Sequence, residues 1–203
     1  MSDTREIELV ENARREKQVV WTLARAFQDD PALSWILPDP DIRRRILPRF
    51  FGIMAEQSQR HGSVFSSVKS EAGALWYPPG DVEAGDHWRV RLWDNLRFAG
   101  LFKRALPRGL KVAEAMHARH PDPQPYHYLR YVGVAPEAQG KGWGGAIVRD
   151  GIARAAKQGC GVLLETATES NVAIYTRLGF AITQEWSVPD GGPKFWTMVH
   201  PAP

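Results

Sequence analysis

The stretch Gln139-Gly140-Lys141-Gly142-Trp143-Gly144-Gly145 puts four glycines in seven residues, between two segments of different periodicity. Ahead of it, Tyr126–Val134 is rich in aromatic residues and valine and reads as a strand. Behind it, Gly144, Ile147, Val148, Gly151, Ile152 and Ala155 lay one apolar stripe along a helix over residues 142–158. A strand, a glycine loop and an amphipathic helix in that order point to a sheet covered by helices, an α/β or α+β fold. The first amides of a helix have no intrahelical acceptor, and the helix dipole adds partial positive charge there. Glycines let a ligand approach such a backbone with no Cβ in the way. A pyrophosphate-bearing ligand is the expected occupant; a turn that only joins strand to helix is the plainer alternative.

Three motifs compete for the loop. Read as G-x-G-x-x-G, Gly140, Gly142 and Gly145 match a dinucleotide fingerprint, with Glu165 about 20 residues on. Geometry opposes that reading, because Ala135-Pro-Glu-Ala-Gln139 separates the strand from the first glycine. Only 38 residues remain after Glu165, too few to complete a doubly wound sheet. The phosphate-binding pattern G-x-x-x-x-G-K-[ST] fails on the placement of Lys141. The pattern [Arg/Gln]-x-x-G-x-[Gly/Ala] is met by Gln139-Gly140-Lys141-Gly142-Trp143-Gly144.

The rest of the chain supplies alternating elements. Val20, Leu23, Ala24 and Phe27 stripe a helix over residues 16–28, which Asp29-Asp30-Pro31 stops. A second helix is expected from an Asp41 N-cap to Arg60, ending at Gly62, with Arg43, Arg44 and Arg45 on its wet face. Strands follow over residues 63–68 and 72–77, closed by Pro78-Pro79-Gly80. Residues 82–120 are helical in texture, broken by Pro107 and Gly109, and Pro121-Asp-Pro-Gln-Pro125 links them to the strand before the loop. Beyond the glycine-loop helix come a strand over 161–166, a short helix over 170–178, and strands over 181–188 and 194–199. Asp190-Gly191-Gly192 is the hairpin turn between the last two.

Composition narrows the partners. A net charge of +3, with Arg43–Arg45 the only basic run, lacks the dense stripe of a nucleic-acid footprint. The single cysteine, Cys160, excludes an intrachain disulfide, and its glycine neighbours place it at a quiet helix-to-strand junction. The first 17 residues carry no apolar signal core and no run approaches 18 apolar residues, so a cytoplasmic location with no membrane association is expected. His117 and His120, spaced i, i+3, bring no further ligands into view, so no metal is expected.

Val132-Gly133-Val134-Ala135-Pro136, the loop, Leu164-Glu165-Thr166 and Asn171-Val-Ala-Ile-Tyr175-Thr-Arg-Leu-Gly179-Phe180 follow in sequence. In that order, over about 75 residues from Tyr126 to His200, the chain resembles the GNAT superfamily of acetyltransferases. Ala26-Phe27-x-x-x-Pro31, Leu75-Trp76-x-x-Pro79 and Phe195-Trp196-Thr-Met198 make it most similar to the puromycin N-acetyltransferase type. The resemblance implies one GNAT domain over residues 1–203. Its central sheet would be mixed, mostly antiparallel and splayed at the cofactor strand, with an acetyl-CoA-binding core over 126–200. Helices and strands over 1–120 would form the acceptor side.

It also implies roles. Val132 and Val134 would pair their backbone with the pantetheine arm of acetyl-CoA, and Gln139, Gly140, Lys141, Gly142, Trp143 and Gly144 would cradle its pyrophosphate. Lys141 adds charge there or is simply solvated; Trp143 packs more than it contacts. Asn171 would head the short helix, holding it or touching the cofactor arm. Tyr175 matches the general acid that protonates a leaving thiolate. Tyr128 stands where some members carry a basic glutamate, so Glu165 is the substitute base, alone or through a water, or else a buried structural carboxylate. His127 neighbours Tyr128 and so points to the other face.

The expected reaction is transfer of the acetyl group of acetyl-CoA to a primary amine of a small molecule. Trp35, Phe50, Phe51, Trp88, Trp93, Phe98 and Phe102 favour an acceptor with an apolar or aromatic part. A protein or peptide amine, a non-catalytic acetyl-CoA sensor and a nicotinamide oxidoreductase are the alternatives. The superfamily's C-terminal strands leave room for a homodimer.

Overall fold

The computed structural model describes residues 5–60, 63–80, 88–120 and 126–203. The expected helix end at Gly62, the start of the third helical region at 82–87 and the proline link at 121–125 lie outside the described residues.

The first helix, α1 (Ala13–Ala26), begins three residues before the expected start because the Asn12 side chain accepts from Arg15 N at 3.0 Å. Pro31 ends the stripe as expected, but it also opens a helix that periodicity did not announce. In α2 (Pro31–Ile36) Pro31 occupies the first turn, where its missing N–H costs nothing, and Asp30 caps it by accepting from Leu33 N at 2.9 Å. The next helix, α3 (Pro40–Arg60), is capped by Asp39 rather than Asp41, since Asp39 Oδ1 accepts from Asp41 N and Ile42 N. Arg43 is also corrected: it is buried, not on the wet face. Its Nε donates to Gln28 O at 2.7 Å, and its Nη1 donates to Leu37 O at 2.7 Å and Pro38 O at 2.9 Å. Those carbonyls close the loops on either side of α2, and a guanidinium fork satisfies several acceptors together. Arg44 and Arg45 are exposed as expected.

Among the described residues, seven strands form one sheet: β1 (Ile7–Leu9), β2 (Val64–Ser67), β3 (Ala72–Tyr77), β4 (Tyr126–Val134), β5 (Gly161–Thr166), β6 (Ala181–Ser187) and β7 (Lys194–His200). Their order is β1-β2-β3-β4-β5-β7-β6, and the β4–β5 junction is parallel while the others are antiparallel. This is the expected mixed, mostly antiparallel sheet, and it rules out the doubly wound parallel fold of the nicotinamide alternative. β1 was not foreseen; three residues are too few to show a period.

Helices α4 (Trp88–Phe102) and α5 (Leu106–His117) join α1, α2 and α3 over one face, around Leu23, Leu47, Phe51, Met54 and Leu75. Pro107 sits in the first turn of α5, and Gly109 lies inside that helix instead of breaking it. On the opposite face, α6 (Trp143–Lys157) and α7 (Glu169–Arg177) cover Trp76, Leu129, Leu164 and Met198. A Cβ on Gly151 would lie 2.1 Å from Trp76 Cζ2, so α6 reaches β3 only because that position has none. Among the described residues, no helix is long and apolar enough to cross a membrane.

Phe50, Phe51 and Phe102 correct a further expectation. They are 8%, 0% and 8% exposed; Phe50 and Phe51 pack edge-on with Tyr131, and Phe102 edge-on with Phe50, so they fill the core rather than line an acceptor pocket. Trp93 is 63% exposed on α4.

Candidate functional site

Parallel pairing of β4 with β5 runs from Tyr126↔Gly161 to Leu129↔Leu164 and stops. Beyond it, Tyr131 to Val134 remain paired with β3, and Glu165 and Thr166 with β7, so the two central strands part. Arg130 marks the point of divergence. Leu75 pairs with Tyr131 but Trp76 with Leu129, which leaves Arg130 as the extra residue of a β-bulge.

The bulge fixes which backbone groups face the gap. Ala135 N donates to Glu71 O at 2.8 Å, on the β3 side. The two-residue period of a strand turns Gly133 N–H the same way and points the N–H groups of Val132 and Val134 at the open edge. The Val132 and Val134 side chains pack toward α6.

At the end of β4 the chain enters the glycine loop. Gly140 and Gly142 take φ of +73° and +81°, a region that costs a residue with a Cβ about 1–2 kcal/mol. Gly142 is the N-cap of α6 with no side-chain cap, and the first backbone bond of that helix is Ala146 N to Gly142 O at 3.1 Å. The amides of the first turn, Trp143 to Gly145, are thus left to an external acceptor. Gln139 Nε2 donates to Val134 O at 3.4 Å and Lys141 Nζ to Glu137 O at 2.9 Å, both from exposed positions. Trp143 packs against the α6-side core, and the Arg5 guanidinium lies 5.8 Å from its ring centre and beside Gly142. Arg5 was not anticipated; a lone arginine before a three-residue strand carries no signal.

Tyr175 faces the same side of the sheet from α7. It is 8% exposed, packs edge-on against Phe180 at 5.7 Å, and its hydroxyl has no hydrogen-bond partner among the described residues. Burial pushes its phenol up to about 12. Asn171 lies in the first turn of α7 rather than at its head, because Thr168 is the N-cap; Asn171 Nδ2 reaches Thr166 Oγ1 at 3.5 Å and holds the β5–α7 corner.

The other face of the gap carries ionisable groups. Glu165 pairs with Thr197, whose hydroxyl accepts from Trp186 Nε1, so its side chain points to the α1–α5 face. That side chain has no exposed surface. His120 Nε2 lies 2.6 Å from Glu165 Oε1, while Oε2 is buried without a hydrogen-bond partner. The His120 ring stands edge-on to Tyr128 at 4.7 Å. Burial first, and then the Glu165 charge, hold the Tyr128 phenol well above its ordinary value. Arg130 Nη1 donates to Gln57 Oε1 at 3.1 Å and to the Tyr77 hydroxyl. Gln57 in turn donates to Asp94, which Arg60 pairs at 2.7 Å. His127, on the opposite face as expected, meets Gln158 at 3.0 Å. Among the described residues, no group of three or more His, Cys, Asp or Glu side chains is arranged to hold a metal ion.

A sequence profile for the acetyltransferase (GNAT) family matches residues 74–180. The chain is similar to a solved structure from Corynebacterium glutamicum described as histone acetyltransferase HPA2 and related acetyltransferase. The two are 25% identical over 98% of this chain and 97% of that one, with a TM-score of 0.73. Arylalkylamine N-acetyltransferase 2 from Aedes aegypti is 15% identical over 99% and 100% of the chains, with a TM-score of 0.60. The ribosomal-protein-S18-alanine N-acetyltransferase of Escherichia coli is 15% identical over 98% and 94%, with a TM-score of 0.55. The last two share the fold alone.

Proposed function

The chain belongs to the GNAT acetyltransferase family and is an acyltransferase, and from that premise we propose that it moves the acetyl group of acetyl-CoA to a primary amine of a small molecule. The observation that carries this reading is the parting of β4 from β5 after Leu129 and Leu164, with the uncapped start of α6 at the far end of the gap. A long ligand with a pyrophosphate at one end and an amide-bearing arm fits that layout. Val132 and Val134 offer their N–H groups to the arm. Gln139, Gly140, Lys141, Gly142, Trp143 and Gly144 surround the pyrophosphate, with backbone amides as the donors.

Acetyl-CoA supplies the thioester carbonyl that the amine attacks within a ternary complex. Tyr175 is the proton donor to the departing sulfur, and its raised pKa keeps it protonated throughout the neutral range. Asn171 holds the helix that presents it. Glu165 is the carboxylate of the proton-accepting side, and burial keeps it from touching the acceptor directly. The acceptor side falls within residues 1–120 and is bounded at the gap by Tyr77, Tyr128, Tyr131 and Arg130, a lining that suits an acceptor with an aromatic part. The puromycin N-acetyltransferase type is the subgroup we assign, on the matches around Ala26-Phe27 and Phe195-Trp196.

Calorimetry with acetyl-CoA, followed by an amine panel read by free-thiol release, tests the proposal. Micromolar binding with amine-dependent release is expected. Binding without release by any amine would point instead to a sensor, and release only with peptide amines to a protein acceptor.

A further inference from the structure

We propose that His120 is the group that takes the proton from the acceptor amine, and that Glu165 is its positioning residue. This rests on the N-acetyltransferase reading above and names the base that sequence alone did not find.

A carboxylate with no exposed surface cannot meet an incoming ammonium, yet one of the Glu165 oxygens is held by an imidazole that keeps 21% of its surface exposed. His120 is therefore the part of the pair that reaches the acceptor side. With Nε2–H donating to Oε1 at 2.6 Å, the ring's lone pair lies on Nδ1, which has no partner among the described residues. A buried carboxylate both selects that tautomer and stabilises the imidazolium once a proton arrives. The groups facing His120 are Glu165 from β5 and Tyr128 from β4, with Arg130 next along β4.

The ring is also firmly placed. It follows α5, which is fastened to the β6–β7 hairpin by the Lys111–Asp190 ion pair and by Arg119 stacked over Trp186 at 4.3 Å. These contacts dock α5 on the face of the sheet opposite Tyr175, the face to which Glu165 points.

The proton inventory closes. Nδ1 of His120 removes one proton from the ammonium, and the freed nitrogen bonds the thioester carbonyl carbon. The C–S bond breaks, the sulfur takes the Tyr175 proton, and the second proton on the new amide nitrogen refills the phenolate. His120 then returns its proton to water.

The test compares wild type, His120→Gln, His120→Ala and Glu165→Gln for acetyl-CoA affinity, melting temperature and the pH dependence of kcat/KM with an accepted amine. For His120→Gln the expected result is a loss of about 10²-fold or more near neutral pH, narrowing at high pH where the amine deprotonates unaided, with unchanged acetyl-CoA affinity. Added imidazole should partly restore His120→Ala. Glu165→Gln should lose less and move the acidic limb to lower pH, because an amide stabilises imidazolium less than a carboxylate does. Wild-type rate and profile in His120→Gln, or a Glu165→Gln loss with an unmoved limb, would overturn the dyad while leaving the acetyltransferase reading intact. A wild type that binds acetyl-CoA and acetylates no amine would overturn both.

Discussion

Leu129 and Leu164 face each other as the last paired residues of β4 and β5, and the chemistry of the site is arranged around the gap that opens beyond them. The residue after Leu129 is the bulged Arg130; the residue after Leu164 is Glu165. Because strand side chains alternate, Glu165 emerges on one face, while Leu164 sits in the cluster that holds Tyr175 on the other. A thioester in the gap would thus have the proposed donor on one side and the proposed acceptor pair on the other.

The Tyr175 assignment predicts a specific split. Tyr175→Phe keeps the ring packed on Phe180 and removes only the hydroxyl, so acetyl-CoA affinity and melting temperature should hold. Turnover should fall roughly 10²–10⁴-fold. Steady-state kinetics beside calorimetry separates the two, and unchanged turnover would remove Tyr175 from the mechanism.

Gly142 should matter for binding more than for chemistry. Its φ of +81° strains any alanine, and a Cβ there would sit 3.2 Å from the Arg5 guanidinium. Gly142→Ala should weaken acetyl-CoA binding roughly 5- to 30-fold, from a strain of about 1–2 kcal/mol at the loop, with a smaller effect on kcat at saturation. An unchanged dissociation constant would show that the loop does not hold the ligand.

How much of this could be read from the sequence depended on the range of the interaction. Tyr126–Val134 and Gly161–Thr166 were legible as strands, and the glycine loop as a helix entry, because those signals are local. The opposite facing of His127 and Tyr128 followed from strand alternation alone. Arg43 reads locally as a wet-face residue because two exposed arginines follow it, and nothing local reveals the carbonyls of Gln28, Leu37 and Pro38 that surround it. Pro31 reads locally only as a stop, because its second role depends on Asp30 capping a new helix. His120 meets Glu165 across 45 residues, and only the docking of α5 on the β6–β7 hairpin brings them together.

Arg43 makes a stability prediction that charge alone would not. Arg43→Met leaves three loop carbonyls short of donors, the Leu37 bond fully buried and the other two partly so, and should cost about 1–3 kcal/mol. Arg43→Lys keeps the charge but not the planar fork, and should recover only part of that loss. Urea denaturation of the three proteins measures it. Equal stability of wild type and Arg43→Met would mean that the carbonyls are solvated.

Alkaline stability is set by buried phenols. Tyr128, Tyr131 and Tyr175 all have pKa values raised from 10.0, with burial the first cause in each. In the unfolded chain these phenols lose their protons near pH 10, while in the fold they keep them. The unfolded state then binds fewer protons, so stability falls as pH rises. The phenol contribution is complete below about pH 10 and, for Tyr175, is lost as pH climbs toward about 12. A shift of that size corresponds to roughly 1–3 kcal/mol. Lysines titrate in the same window, so the informative quantity is the difference between wild type and Tyr175→Phe. Urea midpoints of the two proteins should coincide near pH 8 and separate toward pH 11, with the variant losing less on the alkaline side. Parallel curves across that range would show that the Tyr175 hydroxyl ionises as easily in the fold as in the unfolded chain.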